Sequence, residues 1–169
     1  MIQREIQTVI EQKLFKGKAI ILTGPRQVGK TTLLQQIASS VDTHVLTLNC
    51  DEPEPRSLLT NTNVQKLRTI IGKHKLVMID EAQRVKNIGL TLKLAIDAFP
   101  DVQLLVTGSS SLDLANEINE PLTGRKFEYY LYPFSSRELA LAGNILTEQQ
   151  ALEKRLIYGA YPDVGCNAA

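Results

Sequence analysis

The sequence has little cysteine, no long apolar run and almost no excess charge of either sign. Each shortage removes a class of protein. Two cysteines, Cys50 and Cys166, are too few for a disulfide scaffold, and neither has a metal-type partner close by in sequence. The longest apolar runs, such as Leu76 to Ile79, fall far below the roughly 18 residues that a membrane span needs. The opening MIQREIQTVI lacks the continuous apolar stretch of a signal peptide. With 19 basic against 18 acidic residues the formal net charge is +1, so no global electrostatic footprint for nucleic acid or membrane follows. Disorder is excluded too, because 43% of residues are hydrophobic and 22% charged, close to the globular average. At 169 residues the expectation is one ordinary domain in a reducing, cytoplasmic setting, away from membranes.

What is present alternates between two periodicities. Ile2, Ile6, Val9, Ile10 and Leu14 fall at helical spacing, predicting an amphipathic helix over 2–15 that Gly17 stops. Ala19 to Thr23 reads as a buried strand, Lys30 to Ser39 as a helix, and His44 to Leu48 as a second strand. Residues 51–55, acidic and punctuated by Pro53 and Pro55, read as a solvated loop. A helical stripe of Val64, Leu67, Ile70 and Ile71 follows, with Asn61 or Thr62 as candidate cap. Strands are then expected at Leu76 to Ile79, Gln103 to Thr107 and Phe127 to Leu131, with helices at Ile88 to Phe99 and Leu112 to Ile118. Strands alternating with helices predict an α/β fold, a parallel sheet covered on both faces, over residues 1–132. Residues 133–169 read as a short helical C-terminal tail with capping boxes at Ser135-x-x-Glu138 and Thr147-x-x-Gln150. Such a tail cannot easily hide both its faces alone, so it reads as the start of a lid or of a following domain.

Gly24-Pro25-Arg26-Gln27-Val28-Gly29-Lys30-Thr31 satisfies G-x-x-x-x-G-K-[ST] and sits between an expected strand and an expected helix, the context its mechanism requires. Glycines let backbone N–H groups turn inward around a phosphate, and the helix starting near Lys30 aims its positive end at the same anion. In this reading Lys30 reaches the β- and γ-phosphates, Thr31 gives its hydroxyl to Mg²⁺, and Thr32 completes the loop. Without a nucleotide the string would be a glycine turn with an incidental lysine. For Arg26 and Gln27, solvent-facing side chains at the loop tip and contacts to phosphate or a partner are equally open.

The third strand ends in Asp80-Glu81, which puts two carboxylates at the carboxyl edge of the sheet, where α/β folds bind ligands. Asp80 is the candidate for Mg²⁺ and Glu81 for holding and polarising the attacking water. Gln83 and Arg84 lie close enough to take part or to face solvent. Beyond the fourth strand, Ser109 is the favoured γ-phosphate sensor, while Ser110 or Ser111 can cap the next helix. Arg125 is the candidate arginine finger, in cis or from a neighbouring subunit, with Arg137 its rival; Glu138 is read as a helix cap. His44 and His74 have no ligand-type partners, and Cys50 reads as a small buried filler. Residues 1–40 carry Arg4, Lys13, Lys16, Lys18, Arg26 and Lys30 against Glu5 and Glu11, a net +4 and a slight tilt towards nucleic acid.

Taken together, ILTGPRQVGKTTLL, LVMIDEAQ, LLVTGSSSLDL, LTGRKFEYYLYPFSSREL and YGAYPDV resemble the AAA-type ATPases of the AAA_14 group, from about residue 2 to residue 164. Members of that group usually carry a C-terminal DUF4143 domain, often described as nuclease-like. The resemblance implies an additional-strand P-loop NTPase core of three layers (αβα), Glu81 as catalytic glutamate, a sensor within Thr107 to Ser110, Arg125 as finger, ATP as the nucleotide and oligomeric action. The family's chain continues past the YGAYPDV-like segment, so the sequence reads as a fragment, with any nucleic-acid contact expected in the part that would follow. The expected function is Mg²⁺-dependent ATP hydrolysis that drives rearrangement of an attached domain or partner. Its alternatives are a nucleotide switch without useful turnover, a helicase-like motor fragment, since Asp80-Glu81-Ala82-Gln83 also fits a DExx box, and more weakly a P-loop kinase.

Overall fold

The computed structural model describes residues 2–109 and 118–142. Within them, five strands form one wholly parallel sheet: β1 (Ala19–Gly24), β2 (Val45–Asn49), β3 (Leu76–Asp80), β4 (Gln103–Ser109) and β5 (Lys126–Tyr130). The helices are α1 (Glu5–Glu11), α2 (Lys30–Ser39), α3 (Pro53–Leu59), α4 (Val64–Ile71), α5 (Ile88–Ala98) and α6 (Ser136–Ala142), with a short 3₁₀ turn at Ala82–Arg84.

The sheet order is β2-β3-β4-β1-β5, so β4 is inserted between the two strands that carry the glycine loop and the acidic pair. Ile20 lies beside Leu105 on one side and beside Phe127 on the other. Successive side chains on a strand point to opposite faces, and the core divides accordingly. Ala19, Ile21, Val77, Ile79, Leu104 and Val106 pack against Leu59, Leu67, Ile71, Ile88 and Leu92 from α3, α4 and α5. Ile20, Leu22, Leu76, Met78 and Leu105 face the other way, onto Ile10 of α1 and Leu33, Leu34 and Ile37 of α2. This is the three-layer αβα arrangement expected from the alternation, and each fully buried Leu or Ile contributes on the order of 1.5–3 kcal/mol.

Several local expectations are corrected. Helix α1 is shorter than 2–15: it starts after Arg4, whose backbone is extended, and ends at Glu11. The connector that follows is pinned by buried Gln103, which accepts the Phe15 N–H at 2.6 Å and donates to the Lys18 carbonyl at 3.0 Å. The acidic, proline-rich stretch is no loop after residue 52. Pro53 opens α3 because proline at the first helical position loses no hydrogen bond and already has a helical φ. The cap of α4 is Asn63, whose Oδ1 accepts the Lys66 N–H at 2.9 Å, while Asn61 takes a left-handed turn position. The expected helix over 112–118 lies outside the described residues except for Ile118, which is buried. The second capping box at Thr147 and Cys166 also lie outside them.

The box at Ser135 forms as expected. Ser135 Oγ accepts the Glu138 N–H at 3.1 Å, and Glu138 Oε2 accepts the Ser135 N–H at 2.8 Å.

Candidate nucleotide-binding site

The glycine loop bridges the end of β1 and the start of α2 at the carboxyl edge of the sheet. Gly24 needs to be glycine: its φ is +152°, and a Cβ there would come within 2.4 Å of the Leu131 carbonyl oxygen at the end of β5. Gly29 caps α2 at φ 90°. Arg26 and Gln27 are exposed at the loop tip, and Thr32 is exposed on the first turn of α2.

Lys30 folds back over the loop. Its Nζ donates to the carbonyls of Gly24 at 3.1 Å and Pro25 at 2.7 Å, with 5% of the residue exposed. Burial pushes its pKa below the ordinary lysine value, opposed by the carboxylates of Glu81 and Asp80 and reinforced by Arg26. A buried ammonium satisfied mainly by neutral carbonyls gains from any anion brought to the loop mouth.

Two threonines meet at Asp80. Thr31 Oγ1 donates to its carboxylate at 2.9 and 3.1 Å, and Thr107 Oγ1 donates to Asp80 Oδ1. The fully buried Thr107 hydroxyl also accepts the Glu81 N–H at 3.1 Å. One hydroxyl on β4 thus fixes both residues of the acidic pair, which it can do because β4 pairs directly with β3. Glu81 itself sits at φ 51°, ψ 44°, a left-handed conformation costing a side-chain-bearing residue about 1–2 kcal/mol. Gln83 completes the cluster, donating through Nε2 to Glu81 Oε2 and accepting the Ser109 N–H on Oε1 at 3.2 Å.

The fold therefore brings Lys30, Thr31, Asp80, Glu81 and the end of β4 at Ser109 to one place. Arg125 is elsewhere. It precedes β5, its backbone carbonyl accepts the Ala19 N–H at 3.0 Å at the amino edge of the sheet, and its side chain pairs with Asp97 at 2.7 Å. That edge is a strand length of five residues, roughly 17 Å, from the loop on the same chain. Arg137 is exposed and pairs with Glu5 at 3.1 Å. Arg84 pairs with Asp51 on the surface at 3.2 Å. His44 is exposed, His74 bonds the Ile71 carbonyl at 2.8 Å, and buried Cys50 has its thiol pushed up to about 12, chiefly by burial.

Two contributors carry no sequence signal of comparable strength. Thr107 stands inside an apolar strand, and only its polarity at an inward position could have marked it. Arg4 reads as one polar residue among several in the helix expected over 2–15, yet it is 7% exposed and reaches the loop through the Val28 carbonyl at 3.1 Å.

A loop of this type on a parallel sheet with an inserted fourth strand defines a P-loop α/β domain, the fold of nucleotide-binding ATPase cores. The chain belongs to the AAA domain family AAA_14, whose family model matches residues 16–140. It is 30% identical to the uncharacterized protein Rv2008c of Mycobacterium tuberculosis over 73% of this chain and 27% of that protein. It is 28% identical to an uncharacterized protein of Haemophilus influenzae over 97% of this chain and 44% of that one. The chain thus spans between about a quarter and a half of the length of these curated relatives. Among solved structures, the Walker-type ATPase PABY2304 of Pyrococcus abyssi superposes with a TM-score of 0.64 at 17% identity, over 96% of this chain and 65% of that one. The Pif1 helicase of Candida albicans superposes with a TM-score of 0.54 at 15% identity, over 82% and 41%. At such identities the likeness is one of fold.

Proposed function

We propose that this chain hydrolyses the β–γ bond of ATP and that turnover rearranges the segment following β5 together with whatever domain or partner is attached to it. The observation that carries the reading is the Lys30–Thr31–Asp80–Thr107–Glu81 cluster: a buried ammonium folded over a phosphate loop, the Asp80 carboxylate held by the Thr31 hydroxyl of α2 and the Thr107 hydroxyl of β4, and the Glu81 backbone held by the same Thr107. Backbone N–H groups of the loop and the α2 terminus bind the phosphate oxygens, and Lys30 exchanges its carbonyl partners for them. The donor set suits Mg²⁺. Thr31 and Asp80 offer hard oxygens side by side, and Mg²⁺ is commonly bound through one or two carboxylates and substrate phosphates without an all-protein cage. Held by Thr31 and Asp80, it would supply charge neutralisation at the phosphates.

Glu81 is the general base in this reading. Its carboxylate accepts a proton as water attacks the γ-phosphorus; the bond to the bridging oxygen breaks, and ADP and phosphate leave. Ser109, at the end of β4, stands where the γ-phosphate can be sensed. Arg125 can act only on a neighbouring subunit's site, given its place at the far edge, so a finger role requires a homo-oligomer. The buried free thiol of Cys50 suits a reducing, cytoplasmic compartment, and among the described residues no helix is long and apolar enough to cross a membrane.

The test is Glu81→Gln beside the wild type, with nucleotide binding and phosphate release both measured. Unchanged Mg–ATP affinity with turnover reduced roughly 10²–10⁴-fold supports the base role. A wild type that binds Mg–ATP and never releases phosphate would instead make the domain a nucleotide switch. Stimulation of turnover by single-stranded nucleic acid would favour the motor reading.

A further inference from the structure

Arg4 lies upstream of every motif, yet its guanidinium is buried and all three of its nitrogens bond inside the protein. Nε pairs with Glu138 Oε1 at 3.0 Å, Nη1 donates to the Val28 carbonyl at 3.1 Å, and Nη2 donates to the Tyr132 carbonyl at 2.6 Å. The same group lies 4.5 Å from the centroid of the Phe134 ring. Glu138 is 6% exposed and accepts the backbone N–H of Glu5 at 2.9 Å as well as that of Ser135, so one carboxylate caps both α1 and α6. A single buried ion pair thereby joins three segments: the entry to α1, the glycine loop, and the chain leaving β5.

The contact with Val28 has a geometric consequence. The Val28 carbonyl and the Gly29 N–H belong to one planar trans peptide, so they point in opposite directions. Fixing the carbonyl on Arg4 turns the Gly29 N–H away from Arg4. Gly29 is at φ 90°, a conformation that an unrestrained glycine would leave easily.

We propose that Arg4 is a positioning residue for the phosphate loop: it presets the Val28–Gly29 peptide for an anion and, through Glu138, links occupancy of the loop to the segment that begins with α6. This rests on the reading of the loop as a nucleotide site. The planar fork is what the task requires, because acceptors on three residues, Val28 of the loop and Tyr132 and Glu138 of the chain leaving β5, are met in fixed directions, which a lysine ammonium on a flexible stem does not reproduce.

Hydrogen exchange on the full chain, free and with Mg–ADP, tests the linkage. The variants are Arg4→Lys, which keeps a charge opposite Glu138, and Arg4→Gln with Glu138→Gln, which leaves neither charge unpaired and retains a residue able to close the capping box. In the wild type, Mg–ADP slows exchange at residues 29–33 and, several-fold, at 136–142. In both variants ADP affinity falls by roughly tenfold, the worth of one charge-assisted hydrogen bond, and protection at 136–142 disappears while that at 29–33 remains. Bound ADP without any effect on 136–142 in the wild type overturns the proposal, as does an Arg4→Lys variant with full affinity and full protection. A wild type that binds no ADP overturns the nucleotide reading instead. The ligand-free comparison then decides the linkage: both variants must exchange faster at residues 29–33 and at 136–142 than the wild type, and unchanged loop exchange refutes it.

Discussion

Thr107 shows how much one hydroxyl contributes when it is buried between two carboxylate-bearing positions. It donates to Asp80 and accepts from the Glu81 backbone, so replacing it by valine strips a partner from each. The shape is conserved and the polarity is not, which leaves a buried N–H unsatisfied. Thr107→Val is expected to lower stability in urea by about 1–3 kcal/mol and to reduce hydrolysis with it. Thr47→Val, on the exposed side of β2, is the control and should stay within about 0.5 kcal/mol of the wild type. Equal effects at both threonines would remove Thr107 from the site. Lys30 illustrates the opposite economy of charge: its burial disfavours the ammonium in the free protein, and under the proposed function a bound phosphate would restore what burial removes.

At the scale of elements, α1 and α6 are both short, seven residues each, and too short to be stable helices alone. They hold because Glu138 caps both. Burial raises the pKa of its carboxyl, but the hydrogen bonds from Ser135, Glu5 and Arg4 outweigh burial, and the net direction is downward. A carboxylate whose pKa is depressed on folding stabilises the protein above its unfolded value, and that stability is lost as pH falls through the lower folded value. The denaturation midpoint of the wild type should therefore fall between about pH 5 and about pH 3 more steeply than that of Glu138→Gln. Parallel curves would mean that the pair adds nothing to stability that depends on ionisation. The α3 segment carries a related lesson: Pro53 and Glu54 look like loop chemistry, but they are also what the first turn of a helix prefers.

For the whole molecule, the parallel sheet separates its two edges functionally. The carboxyl edge gathers Lys30, Thr31, Asp80, Glu81 and Gln83, whereas Arg125 stands at the amino edge on an exposed ion pair with Asp97. Arg125→Ala is accordingly expected to leave hydrolysis per chain unchanged in dilute protein. If turnover rises with protein concentration, the variant should lose that rise and nothing else. A loss of the dilute rate would place Arg125 within reach of its own chain's site, against the strand register.

The sequence by itself determined the strands, most helix positions, the three-layer class and the residues of the loop and acidic pair on which the proposed chemistry rests. Those features are written in local periodicity and in contiguous residues such as Gly24 to Thr31 and Asp80-Glu81. Only the tertiary structure decided the rest. The insertion of β4 between β1 and β3 makes Thr107 the partner of both acidic residues, and the docking of α6 on α1 turns Arg4 from one polar residue on a helical stripe into the anchor of Val28. The physical reason is range: Arg4 and Glu138 are 134 positions apart, and no local pattern records which side chains will share a desolvated space once the chain has closed on itself.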